Sequence, residues 1–317
     1  MNATMSEVPT TAVFSSISDV ERETGVPKET LRVWERRYNF PQPERDANGE
    51  RQYPLDQVAR LRVVKRLLDM GYRPGKIMQL STEELSNMAS KSGTGSIAGD
   101  ADDPVLRQCL AMIKAHQMHE LRQKMAQSLL QLGLRRFVLE LVAPLTTLVG
   151  ETWAAGGLAI FEEHLFAEML QSVMRNAIFS ANQQVGHADA VPRILLTTVP
   201  QERHGLGLLM AEALFALEGA HCVSLGVQTP LTDIVEAARV QHADIVALSF
   251  SSVMSPRAAI DNVIELQSRL GERVQVWAGG SCAALARRQL GPNRVLDLHD
   301  IDTAVARWRV QNTALAS

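Results

Sequence analysis

The chain is 317 residues long, with 46% hydrophobic residues and a formal net charge of -3 at pH 7. That length exceeds one ordinary core, so two or three domains are expected, and the apolar share excludes a disordered chain. The apolar runs are short and broken by charges, which excludes a bilayer-spanning helix and leaves nucleic-acid binding to the local distribution of charge.

The opening segment "MNATMSEVPTTAVF" lacks the basic-then-apolar layout of a secretion signal. Cys109, Cys222 and Cys282 are far apart and odd in number, so they form neither a disulfide framework nor a CxxC site. A reduced, cytoplasmic protein with no membrane partner is therefore expected.

Between residues 12 and 80, thirteen Lys and Arg face ten Asp and Glu. The stretch "SISDVERETGVPKETLRVWERRY" predicts two short helices around a Gly-Val-Pro turn, with Pro27 opening the second and Val26 at its entry. That second helix, about Lys28 to Tyr38, carries Lys28, Arg32, Arg36 and Arg37 around Trp34. A helix in the major groove needs such cations for phosphates and polar ends for base edges. Next, Asn48-Gly49 suits a hairpin turn, flanked by Arg45 and Arg51 as a wing would require. By periodicity alone the segment also reads as a basic solvated surface on a small helical domain.

The run "TLRVWERRYNFPQPERDANGERQYPLDQVARLRVVKRLLDMGY" closely resembles the winged-helix DNA-binding domain of the MerR family, over residues 12–80. The resemblance implies Thr30, Arg32 and Arg36 in a recognition helix that reads double-stranded operator DNA. It implies Arg37 and Tyr38 holding that helix against the DNA backbone, and Arg51 and Tyr53 in the wing. Many members continue into a long dimerising coiled coil, and no such heptad run follows "MGYRPGKI". Self-association is thus expected from downstream segments or from the DNA site.

Residues 81–103, small, polar and aperiodic, read as a linker. Residues 104–185 place apolar side chains at helical spacing with almost no strand signal, as in a four-helix bundle. From 190 to 317, the β-rich runs "ILLTTV", "CVSLGV", "IVALSF" and "VQVWAG" alternate with helical stretches starting near Gly205, Leu231, Pro256 and Ser281. That alternation predicts a parallel sheet with helices on both faces. The expected fold class is multidomain α and α/β: a winged helix-turn-helix, a four-helix bundle, and a flavodoxin-like (Rossmann-like) sheet.

Ligands of parallel sheets collect at the carboxyl ends of the strands, near the switch in strand order. The first predicted strand ends in "QERHGLG", Gln201 to Gly207. His204 offers a metal ligand there, and Glu202 can take the proton of its other ring nitrogen. Gly205 and Gly207 would keep side chains clear of a bulky planar group. By spacing alone, the same residues also read as a surface pair. Later strands end in "ALSFSSV", with Ser249, Ser251 and Ser252 at the same rim, and in "VWAGGS", with Gly279-Gly280.

This order resembles the cobalamin-binding domain, whose signature is Asp/Glu-x-His-x-x-Gly, then Ser-x-Leu, then Gly-Gly. The resemblance implies His204 as the lower cobalt ligand and Glu202 as its hydrogen-bond partner. It also implies Ser249 as a contact to the cofactor's nucleotide tail and Gly279 and Gly280 as the wall of the tail's channel. Ser251 stands where the family has Leu, which alters the packing around that tail.

Trp153, followed by Glu163-His164 in the predicted bundle, reads on its own as core and helix surface. Trp-x9-Glu-His, behind a MerR-like domain and ahead of a cobalamin-type domain, resembles the CarH/LitR light-responsive regulators over residues 12–310. The resemblance implies that Trp153, Glu163 and His164 cover the upper face of adenosylcobalamin. Known members carry a His directly after the Trp, where this chain has Ala154. Arg203 is retained, but Gln228 stands where those members have an acid facing that Arg across subunits. The reading is a non-enzymatic repressor that binds its operator as a dimer or tetramer and is released when light breaks the Co–C bond. Its rivals are a MerR-type regulator answering to another cobalamin form, another tetrapyrrole or a protein partner, and a corrinoid carrier subunit of a methyltransferase. His116 and His119 lack a third metal ligand and read as solvated, and His299 beside Asp300 reads as structural or exposed.

Overall fold

The computed structural model describes residues 14–69, 72–85, 88, 103–155, 157–182, 191–252, 254–282 and 294–316. The chain divides into two compact units, Met1–Ser96 with Glu151–Gly157, and Ile97–Gly150 with Leu158–Ser317.

The first unit contains β1 (Phe14–Ser16), α1 (Ile17–Thr24), α2 (Lys28–Tyr38), β2 (Glu44–Arg45), β3 (Arg51–Pro54), α3 (Leu55–Asp69) and α4 (Pro74–Ile77). Ser16 caps α1 by accepting from the Asp19 amide at 3.2 Å, and Gly25 ends it at φ 69, where a side chain would be strained. Pro27 precedes α2, and Asn39 closes it in the left-handed region at φ 55. The sheet order is β1-β3-β2, antiparallel throughout, so β2 and β3 form the wing. Asp46 holds the wing's turn by accepting from the amides of Asn48 at 2.9 Å and Glu50 at 2.8 Å. Val20, Leu31, Trp34, Leu61, Val64 and Leu67 form the core. Arg60 lies 4.3 Å over the Phe40 ring and donates to the carbonyls of Met78 and Leu80 at 2.9 Å, which ties α3 to the chain beyond α4. Leu85 is fully buried in the same core, so this core extends into the stretch expected to be linker. Residues 86–87 and 89–102 of that stretch lie outside the described residues.

The second unit begins with α5 (Pro104–Lys114), α6 (Met118–Arg136), a π-helical turn (Phe137–Val142), α7 (Ala143–Ala154) and α8 (Ile160–Asn182). These are the four helices of the bundle, although the end of α7 groups with the first unit. Then come β4 (Arg193–Thr197), α9 (Leu206–Leu217), β5 (His221–Gly226), α10 (Leu231–Val240), β6 (Ile245–Phe250), α11 (Pro256–Leu270), β7 (Gln275–Gly280), β8 (Arg294–Leu296) and α12 (Ile301–Ala316). The five strands are parallel in the order β5-β4-β6-β7-β8, the flavodoxin-like arrangement. The expected helices begin at Leu206, Leu231 and Pro256, whereas the one expected from Ser281 falls outside the described residues beyond Cys282.

The chain runs from β4 outward to β5, then returns to the other side of β4 for β6, β7 and β8. The switch point therefore lies between β4 and β6. α9 is apolar over most of its surface, Glu212 apart, with Leu208, Leu209, Met210, Ala213, Leu214 and Phe215 all buried. It needs that composition because α6 and α8 cover one side of it and the sheet the other. Arg135 of α6 strengthens this packing by pairing with Glu218 and, at 3.3 Å, with Asp302. Among the described residues no helix is long and apolar enough to cross a membrane.

β6 and β7 pair so that Ser249 opposes Gly279 and Phe250 opposes Gly280. Gly280 sits at φ +112, and a Cβ there would lie 2.2 Å from the Phe250 carbonyl oxygen. Gly280→Ala is expected to cost about 3 kcal/mol in backbone strain and clash. A lower urea midpoint for the α/β transition would show this; an unchanged midpoint would contradict the tight β6–β7 approach.

Candidate functional site

The loop from Thr198 to Gly205 leaves β4 at the switch point and is held by its own polar groups. The Thr198 hydroxyl donates to the Glu202 carbonyl at 2.5 Å and accepts from the Gln228 amide at 2.8 Å. The Gln228 side chain donates to the Pro200 carbonyl at 3.0 Å. In this chain Gln228 is thus folded back onto the β4 loop.

Within this frame Glu202 is buried, at 1% exposure. One carboxylate oxygen accepts from the His204 amide at 2.9 Å and faces His204 Nδ1 at 2.6 Å. The other accepts from the Ser251 amide and from the Ser251 hydroxyl, both at 2.7 Å. Burial pushes the Glu202 carboxyl up, but the bonds from the His204 ring, the Ser251 amide and the His204 amide outweigh it and hold the group below its usual 4.5. With Glu202 ionised, Nδ1 carries the proton and Nε2 presents a lone pair. The His204 side chain is 49% exposed, and Nε2 makes no hydrogen bond among the described residues. In its neutral form, an imidazole with one nitrogen fixed by a carboxylate and the other facing outward is a donor that suits a transition-metal centre.

The glycines also answer to the packing of the chain itself. A Cβ on Gly207 would lie 2.4 Å from the Ser249 hydroxyl, and one on Gly205 would lie 3.1 Å from Val227. A Cβ on Gly279 would meet the Leu296 carbonyl at 2.9 Å. These glycines let α9, β6, β7 and β8 close on each other around the rim. Ser249 therefore lies directly against the start of α9.

On α8, Glu163 and His164 meet side chain to side chain at 2.8 Å, with the His164 side chain 70% exposed. Trp153 lies in the first unit, where the Arg62 guanidinium sits 5.1 Å from its ring centre. His116 and His119 do not share a ligand. His116 bonds Glu162 at 2.9 Å and His119 bonds Gln123 at 2.9 Å, and no group of three metal-ligating residues occurs among the described residues.

On the winged helix, Arg32, Arg36 and Arg37 are exposed along α2, and Thr30 is half-buried. Arg32 pairs with Glu29 at 3.1 Å, Lys28 with Glu21 at 3.6 Å, and the Arg37 guanidinium lies 5.3 Å over the Tyr38 ring. Two of the residues given to the wing are redirected. Tyr53 is fully buried because alternation along β3 turns it into the core, so it is no surface contact. Arg51 is half-buried and grips Glu35 of α2 at 2.8 Å, bracing the wing against the helix.

Residues 15–84 match the MerR HTH family of regulatory proteins, and residues 105–177 and 192–301 match two families of B12 binding domain. The chain thus joins a MerR-type HTH domain to B12-binding domains. It is similar to the HTH-type transcriptional repressor CarH of Myxococcus xanthus, at 29% identity over 82% of this chain and 86% of that one. The repressor CarA of the same organism is 28% identical over 76% of this chain and 77% of its own. Among solved structures, the monomethylamine corrinoid protein of Methanosarcina barkeri aligns with a TM-score of 0.49 at 15% identity, over 63% of this chain and 94% of that one.

Because four donors converge on Glu202, Glu202→Gln is expected to destabilise the second unit by about 2–3 kcal/mol near neutral pH. The sign follows from the lowered carboxyl: its contribution is complete above 4.5 and lost as pH falls through the folded value below that. The stability gap between wild type and variant should therefore be constant from pH 7 to about pH 5 and close in stronger acid. A gap that opened on acidification would contradict this assignment.

Proposed function

We propose that this protein is a cobalamin-controlled transcriptional repressor that binds operator DNA through α2 and the wing. The observation that carries the reading is the buried Glu202 holding His204 at the β4–β6 switch point, on a chain that also carries a MerR domain. His204 Nε2 would be the nitrogen that holds the cofactor's cobalt. Glu202 keeps the proton on Nδ1, and Ser251 keeps Glu202 ionised and still. Ser249, Gly207, Gly279 and Gly280 form the narrow rim along which the cofactor's nucleotide tail is held. Arg203, exposed beside His204 on the loop after β4, would contact the cofactor. Trp153, Glu163 and His164 would be further contacts to the bound group. The native form is adenosylcobalamin, which when bound supplies a Co–C bond that light cleaves.

Arg32, Arg36 and Arg37, exposed along α2, meet the operator, with Lys28 and Thr30 at the start of that helix, Tyr38 at its end and Arg51 bracing the wing. Self-association sets several winged helices on one operator, and linked sites add avidity without any new contact. Light then acts by loosening that assembly. Two named relatives, CarH and CarA, are repressors, which supports the direction of control.

Wild type is expected to take up one equivalent of adenosylcobalamin and to hold operator DNA in the dark but not after green light. His204→Ala should lose at least about tenfold in cofactor affinity, with an altered absorption spectrum. Full retention with an unchanged spectrum would remove His204 as the ligand, and operator binding indifferent to light would favour a non-photochemical signal. Arg36→Ala should weaken operator binding by about 1–3 kcal/mol, measured by fluorescence anisotropy across a salt series. Equal affinity at every salt concentration would take α2 out of the interface.

A further inference from the structure

Trp153 is the one aromatic residue of the segment Glu151–Gly157, which the fold groups with the winged-helix unit. The remainder of that segment is small or polar, closed by bonds from the Ala155 amide to Glu151 at 3.0 Å and from the Gly157 amide to Thr152 at 2.8 Å. Its indole is met by Arg62 of α3, whose guanidinium pairs in turn with Glu23 of α1. The side chains of Arg62 and Glu23 are each only 10% exposed.

This contact is poorly satisfied for one so enclosed. Among the described residues, Trp153 Nε1 and Arg62 Nε are both buried without a hydrogen-bond partner. Burial also depresses the Arg62 pKa, a sign that desolvation works against the charge there. A permanent core contact satisfies its donors, and a buried one left unpaired loses its water without gaining a bond. A desolvated cation attracts an indole, but here two unpaired donors oppose that attraction. The indole is therefore held by a contact that a better partner can replace.

We infer that Trp153 has two alternative partners, Arg62 of the winged-helix core and the bound cofactor, so that occupancy of the cofactor site frees the winged helix from residues 151–157. The inference rests on the cofactor role given to Trp153 above. It adds a route by which ligand binding reaches the DNA-binding unit: one side chain serves two sites, and what one gains the other loses.

The experiment compares wild type with Arg62→Met/Glu23→Gln, which removes the competitor without leaving a buried charge unpaired. Binding of adenosylcobalamin, titrated in the dark by absorbance, should tighten about five- to tenfold in the double variant, because the cost of undocking Trp153 is gone. Arg62→Lys, which keeps the charge but loses the planar stack, should fall between the two and covers the case of a double variant that does not fold. Without cofactor, Trp153 fluorescence is obtained as the difference between each protein and its Trp153→Phe form. Acrylamide should quench it more in the double variant than in wild type. Unchanged cofactor affinity with wild type still binding would overturn the shared-partner inference and leave the function reading intact. A wild type that takes up no cobalamin would sink both, and equal quenching would remove the Arg62 contact itself.

Discussion

Everything at the rim of the sheet turns on one buried carboxylate. Glu202 lies 1% exposed where an isolated anion could not stay ionised, and four donors from two loops keep it so. The bonds to His204 dictate which ring nitrogen carries the proton. The bonds to Ser251 fasten the end of β6 to the β4 loop across the switch point. Withdraw the carboxylate and the imidazole loses its tautomer while the two loops lose their bridge. Position, protonation and exposure of His204 are thus one problem with one solution.

The same economy governs the close contacts around it. Gly207 exists because the Ser249 hydroxyl needs its space, and Gly280 because the Phe250 carbonyl does. The small residues are therefore requirements of strand and helix approach before they are requirements of any ligand. On the DNA-binding unit a similar substitution of roles occurs. Arg51 serves the shape of the wing by clasping Glu35, while the exposed arginines of α2 are left to face outward.

Much of this was legible in the residues. The alternation of β-rich and helical runs gave four of the five strands, and the Glu-x-His spacing gave the partner of the imidazole. β8 escaped because it spans three residues, too few for periodicity to register. Ser251 was seen as a departure from an apolar position, and its role as donor to Glu202 depends on a contact 49 residues away in sequence. Tyr53 lies in the wing as expected, but a family pattern names only the strand, whereas the pleat decides that this residue faces the core. The bonds of Thr198 and Gln228 left no local signal, since both link loops that meet only once the sheet is formed. Local pattern reveals elements and nearest partners; what the topology brings together from afar has to be seen in the fold.

The apolar helix α9 has one more implication. Because it is the shared wall of the bundle and the sheet, neither half owns a complete interior. Severing the polypeptide between Asn182 and Arg193 would leave the bundle fragment with a bare greasy flank where α9 had lain, and would strip the sheet fragment of its cover on that side. The two pieces would be expected to cling to each other or to precipitate, so the pair must be inherited, and handled, as a single unit.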